Sequence, residues 1–224
     1  MKNLSEKSEA YYGLNHYYEL FSKAEDYPKY IEKELIKKTK DKVVLDAGCG
    51  SGKFLPLIEK IAKELYAVDA AQEQLEIAKE KINNKDNIIQ SDLVQLPFED
   101  NKFDIIYCTW VLGTILDELK RKLVLDELKR VLKKNGKIIL VENNIGGYFE
   151  QMRNRYPNIN KTKRYNDWVM KNKFKVFKEI DSYFKFSNER IAKEVFKNIY
   201  GEQIAVLAYK QMEHKIIIFE YEKK

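Results

Sequence analysis

Three glycines alternate along Asp46-Ala47-Gly48-Cys49-Gly50-Ser51-Gly52, directly after the apolar run Val43-Val44-Leu45. Glycine permits a tight turn and a close approach of backbone to ligand. A helix that follows such a turn adds free N–H groups and the positive end of its dipole. A pyrophosphate-binding turn is spaced G-x-G-x-x-G. Here the spacing is G-x-G-x-G, with an aspartate two residues before the first glycine, which disfavours a pyrophosphate and favours a ligand with an ammonium group. Asp69 closes a second apolar run, 17 residues after Gly52, where a carboxylate can take both hydroxyls of a ribose. Asp92, in Ser91-Asp92-Leu93, can accept from the exocyclic amine of an adenine. Candidate proton acceptors elsewhere are His16, Tyr11, Tyr12 and Glu142. His16 is one of only two histidines.

These residues need elements to hold them. Short apolar runs at 43–45, 65–68, 87–90, 103–107 and 137–142 alternate with helical stretches at 52–63, 71–83 and 117–133. Continuous apolar strands alternating with helices predict a parallel sheet covered on both faces. Leu119, Leu123, Leu128, Val131 and Leu132 form the apolar face of the third helix, and Asn135-Gly136 is placed to end it. Residues 1–40 read as a helical arm broken at Pro28. A basic, aromatic stretch with helix reaches Lys173, strand-like alternation follows over 174–186, and 188–211 reads as helix broken at Gly201. HKIIIFEYE, 214–222, is a last strand. The expected organisation is one domain: arm 1–40, ligand-binding core 42–145, a lid and sixth strand within 146–213, and the last strand.

The chain has 224 residues, 44% of them apolar, enough for one substantial core. No apolar run approaches the ~20 residues needed to span a bilayer, and the polar N-terminus has no secretory h-region. With two cysteines, the expected setting is cytoplasmic, with reduced thiols, no membrane partner and no metal. The charge of +6 is uneven: residues 1–149 carry 24 Lys and Arg against 25 Asp and Glu, and 150–224 carry 17 against 10. A basic block can meet an anionic partner, or be a solvated face.

The chain resembles the class I, seven-stranded S-adenosylmethionine-dependent methyltransferases. LDAGCGSGKF is similar to the family's first motif, YAVDAA to its acidic second-strand motif, SDLVQLPFEDNKFDIIYC to its adenine loop and fourth strand, and LKKNGKIILVE to its fifth-strand motif. The resemblance implies a three-layer α/β sandwich with a mostly parallel seven-stranded sheet and an antiparallel last strand. It implies that Gly48, Gly50 and Gly52 line the methionine moiety, with Asp46 beside them. Asp69, Ala70 and Gln74 would hold the ribose and adenosine, and Asp92 and Leu93 the adenine. Cys108, Thr109 and Trp110 would face the sulfonium and acceptor. In similar enzymes an N-terminal arm folds over the cofactor, a role open to Tyr11 and Tyr12, although packing against the sheet is equally open.

The acceptor is less legible. Tyr107-Cys108-Thr109-Trp110 lacks the N/D-P-P-Y/F of nucleobase amine methyltransferases and the proline motif of cytosine-C5 enzymes, two cysteines are too few for arsenic methylation, and Leu112-Gly113-Thr114 replaces the L-H-H of many small-molecule relatives. The expectation is methyl transfer by in-line displacement to a small organic acceptor, lined also by Arg153 and Trp168 and, if anionic, held by the basic block. An RNA or protein acceptor on the same fold is the alternative, with nucleic acid the less favoured partner. An NAD-dependent oxidoreductase is disfavoured by the glycine spacing and the absence of a Tyr-x-x-x-Lys pair, and a non-catalytic cofactor-binding regulator is a further reading.

Overall fold

In the computed structural model, residues 14–153 and 160–224 are described. The expectations for Tyr11 and Tyr12 fall outside them.

The sheet has the order β3-β2-β1-β4-β5-β7-β6. Strands β1 (Val43–Ala47), β2 (Glu64–Asp69), β3 (Ile88–Gln90), β4 (Phe103–Thr109) and β5 (Leu132–Asn143) are mutually parallel. Strand β7 (Gln211–Glu222) runs antiparallel between β5 and β6 (Lys175–Lys185). Side chains alternate across the sheet, and two cores result. One joins Leu45, Ile106 and Leu140 to α5 (Glu118–Val131) and α7 (Lys161–Lys171). The other joins Val44, Tyr107 and Val141 to α2 (Tyr30–Thr39), α3 (Leu55–Ile58) and α4 (Gln72–Glu80). A third, aromatic core ties α1 (Asn15–Ala24), α6 (Gly147–Arg153), α8 (Glu189–Tyr200) and α9 (Glu202–Ala205) to the ends of β6 and β7. The three-layer expectation therefore holds.

Several local expectations change. The helix expected over 52–63 is the single turn α3, because Gly50 and Gly52 hold positive φ and Pro56 stands in its first turn. Asn135-Gly136 does not end α5. Leu132 is already extended, and Asn135 (φ 63°) lies in a bulge of β5 with its N–H on the Lys223 carbonyl. Helix beyond Gly201 stops at Ala205, and β7 begins at Gln211. Leu119 and Leu123 point to solvent, 78% and 58% exposed, while Val124, Leu125, Leu128 and Val131 form the packed face.

The arm is anchored by a buried carboxylate. Asp26, between α1 and α2, accepts from the Ile31 N–H at 2.7 Å and the Ser182 hydroxyl at 2.6 Å. Asp26→Ala leaves both donors buried and unpaired. It is expected to cost about 2–4 kcal/mol in urea unfolding, against a smaller loss for Asp26→Asn. Equal losses would deny the carboxylate this role.

Candidate active site

The glycine loop leaves β1 at the carboxyl edge of the sheet, where open α/β folds bind ligands. Gly48 and Cys49 donate to the Val68 carbonyl at 2.8 and 3.0 Å. Asp69 takes the Gly50 N–H at 2.8 Å and the Ala71 N–H at 2.9 Å, so the residue expected to hold a ribose also fixes the loop. Gly48 has φ 82°, and a Cβ there would meet Val111 at 2.5 Å. A Cβ on Gly50 would lie 3.3 Å from the Tyr18 hydroxyl, which places α1 against the loop. Glu19 secures this seating through Ser51 and through Lys81 at 3.0 Å.

Asp46 is buried beneath the loop, with Oδ1 unpartnered. Burial pushes its carboxyl up to about 8; the nearby Tyr107 hydroxyl opposes the rise and Asp69 adds to it. A buried carboxyl oxygen without a partner, beneath three glycines, fits a ligand that brings a cation. Burial also raises Asp69, against the three backbone N–H groups that favour its charged form. Gln74 is buried on α4 and Ala70 is exposed at the end of β2. Asp92 is exposed, accepts from the Val94 N–H at 3.1 Å and lies 3.5 Å from Lys120. The Leu93 side chain belongs to the core, so only its backbone is left for an adenine.

Beside the loop opens a cleft of about 700 Å³. Gly48, Cys49, Ser51, Thr109 and Trp110 line it together with Glu142, Arg153, Tyr165 and Trp168. Trp110 has φ 57°, donates its backbone N–H to Val141 at 2.8 Å and stacks on His214. Backbone held in this region by a bulky residue is strain characteristic of functional sites.

Of the proton-acceptor candidates described, only Glu142 reaches the cleft. It is 2% exposed and accepts the Tyr165 hydroxyl at 2.6 Å and the Gly113 N–H at 3.4 Å, both on Oε1. Oε2 faces the gap over Gly113, where a Cβ would stand 2.9 Å away. Burial raises this carboxyl to about 7, with Tyr165 the strongest opposing influence. His16 is exposed on α1, edge-on to Tyr17, and lines no part of the cleft. The Cys108 side chain is fully buried in the core beneath α5, and alternation along β4 turns Thr109, not Cys108, to the cleft.

Sequence reading missed Lys53 and Glu25, which meet under α1. Lys53 donates to the Glu25 carbonyl at 3.0 Å and lies 3.9 Å from its carboxylate. Burial raises Glu25 and lowers Lys53. The position of Lys53 directly after Gly52 was a signal available for one partner; nothing local pointed to the other.

A methyltransferase domain family matches residues 45–140. An uncharacterized methyltransferase of Schizosaccharomyces pombe is 34% identical over 122 residues, 53% of this chain and 47% of that protein. A Staphylococcus aureus demethylmenaquinone methyltransferase is 33% identical over 103 residues, 44% and 42% of the two chains. The match thus spans less than half the length of either relative. A SAM-dependent methyltransferase from Thermotoga maritima has the same fold, with TM-score 0.61 at 16% identity over 97% of this chain and 99% of that one. Residues 45–140 are therefore similar to methyltransferase domains in sequence, and the chain as a whole shares the fold of a solved S-adenosylmethionine-dependent methyltransferase.

Proposed function

We propose that the protein is an S-adenosylmethionine-dependent methyltransferase acting on a small organic acceptor, and that it works in the cytoplasm. One observation carries this reading: a single cleft joins the glycine loop to buried Glu142 and its hydrogen-bond partner Tyr165. The name of the S. aureus relative, a demethylmenaquinone methyltransferase, supports a small-molecule acceptor.

Gly48, Gly50 and Gly52 would hold the methionine part, Asp46 its ammonium, Asp69 the ribose, with Gln74, Ala70, Asp92 and the Leu93 backbone around the adenosine. When bound, S-adenosylmethionine supplies a methyl group already activated on a sulfonium. The protein's own work is then alignment and water exclusion, which can contribute about 7–11 kcal/mol. Tyr18 and Glu19 close α1 over the loop, and Trp110 walls the cleft beside it. Glu142 takes the proton of a neutral acceptor on Oε2, while Tyr165 positions the carboxylate through Oε1. The pH at which Glu142 becomes an effective base follows from its carboxyl near 7. Arg153 and Arg164, at the rim, favour an acceptor with an anionic group.

Protein incubated with methyl-labelled cofactor and a cell extract is expected to place label in the small-molecule fraction. Label confined to RNA or to protein would overturn the acceptor class while keeping the reaction. Failure to bind S-adenosylhomocysteine in calorimetry, with binding of NAD instead, would overturn both. On the acceptor so found, Glu142→Gln is expected to lower kcat by about 10²–10⁴-fold with cofactor affinity unchanged. Tyr165→Phe should lower it less and move the acid limb of the pH profile.

A further inference from the structure

The two helices bordering the cleft mouth present unusual surfaces. On one side, Leu116, Leu119 and Leu123 are 40%, 78% and 58% exposed. Leu119 and Leu123, four residues apart, share one face of α5, and Leu116, just before the helix, lines the cleft. The opposite face of α5 is already packed on the sheet, so the leucines are surplus to the core. On the other side, residues 161–175 hold six Lys or Arg against one Asp. Lys163, Arg164 and Lys171 are exposed, and exposed Met170 lies among them. The two surfaces are fixed to each other, because the Arg121 guanidinium of α5 lies 5.1 Å from the ring of Tyr165 and 4.7 Å from that of Trp168, both on α7.

We propose that this face docks on an anionic lipid surface, with the leucines entering the headgroup boundary and the basic face of α7 meeting lipid phosphates. Aliphatic side chains beside Lys and Arg are the composition of an interfacial helix, and the charge complements an anionic leaflet. Nucleic acid would be met by basic and aromatic groups, and exposed leucines contribute nothing to phosphate contacts. No helix among the described residues is long and apolar enough to cross a membrane, and none is needed for this attachment. Docked this way, the cleft opens toward the lipid, so an amphiphilic acceptor could enter without crossing water. The docking itself does not depend on the methyl-transfer reading.

The test is co-sedimentation of the full chain with phosphatidylglycerol–phosphatidylcholine vesicles, against pure phosphatidylcholine vesicles. The expected result is binding to the anionic vesicles only, weakened by high salt. Leu119→Ser/Leu123→Ser should reduce partitioning at least tenfold with the melting temperature unchanged, since both residues are exposed. Lys163→Gln/Lys171→Gln should reduce it and remove most of the salt dependence. Equal sedimentation of the leucine variant and the parent would overturn the proposal. So would a parent that is dimeric in light scattering and becomes monomeric in the leucine variant, which would assign the leucines to a second copy. Binding to a short RNA that survives the leucine changes, with no vesicle binding, would assign the basic face to a polyanion and overturn it too.

Discussion

Gly48→Ala is expected to weaken S-adenosylhomocysteine binding by about 10²-fold and to lower the melting temperature by several degrees. Two costs add. A non-glycine residue at φ 82° carries left-handed strain of about 1–2 kcal/mol. The new Cβ would also stand 2.5 and 2.8 Å from the two methyl carbons of Val111, and relieving such overpacking costs about 1–3 kcal/mol. The loop can relieve both by moving, and it then loses the shape that holds the ligand. Two variants separate the costs. Val111→Ala in the Gly48→Ala background removes the methyl clash and should restore part of the affinity. Gly201→Ala shares a positive φ of 92° but has nothing within 4 Å of its Cβ, and should leave affinity untouched. Calorimetric titration with S-adenosylhomocysteine reads all three. Parent-like affinity in Gly48→Ala would remove the loop from the cofactor site.

Asp46 should make cofactor binding release protons at neutral pH. Its carboxyl, near 8 in the folded chain against about 3.9 when unfolded, holds a proton at pH 7. An arriving ammonium group favours the carboxylate and expels that proton. Binding enthalpies measured at pH 7 in phosphate and in Tris should therefore differ in proportion to buffer ionisation, and Asp46→Asn should abolish most of the difference. Stability follows the same linkage. A carboxyl whose folded value is raised contributes stability fully below its unfolded value and loses it as pH rises through about 8. Ionising Asp46 in place costs on the order of 5 kcal/mol, reduced by relaxation and water entry. The ligand-free protein should then melt lower at pH 8.5 than at pH 6, and Asp46→Asn should flatten that slope by raising the alkaline melting point. Identical slopes in parent and variant would show that Asp46 ionises freely and does not fit a buried cation partner.

Much of the fold and half of the site can be read along the chain. The glycine loop, Asp46, Asp69 and Asp92 are local features tied to strand ends. The run of short apolar strands and helices dictates a parallel sheet, because only strands buried on both faces are continuously apolar. Residue types alone therefore determined the sheet and the glycine loop at its carboxyl edge. Three matters were decided only by tertiary packing. The apolar residues of α5 fall on more than one face, and docking on the sheet buried the face of Val124, Leu125, Leu128 and Val131 and left Leu119 and Leu123 in solvent. Strand alternation has two settings, and the register of β4 turned Cys108 inward and Thr109 toward the cleft. Glu142 and Tyr165, and likewise Lys53 and Glu25, are far apart in the chain, and no local pattern pairs them. They meet because α7 packs back across the end of β5 and because α1 folds onto the glycine loop.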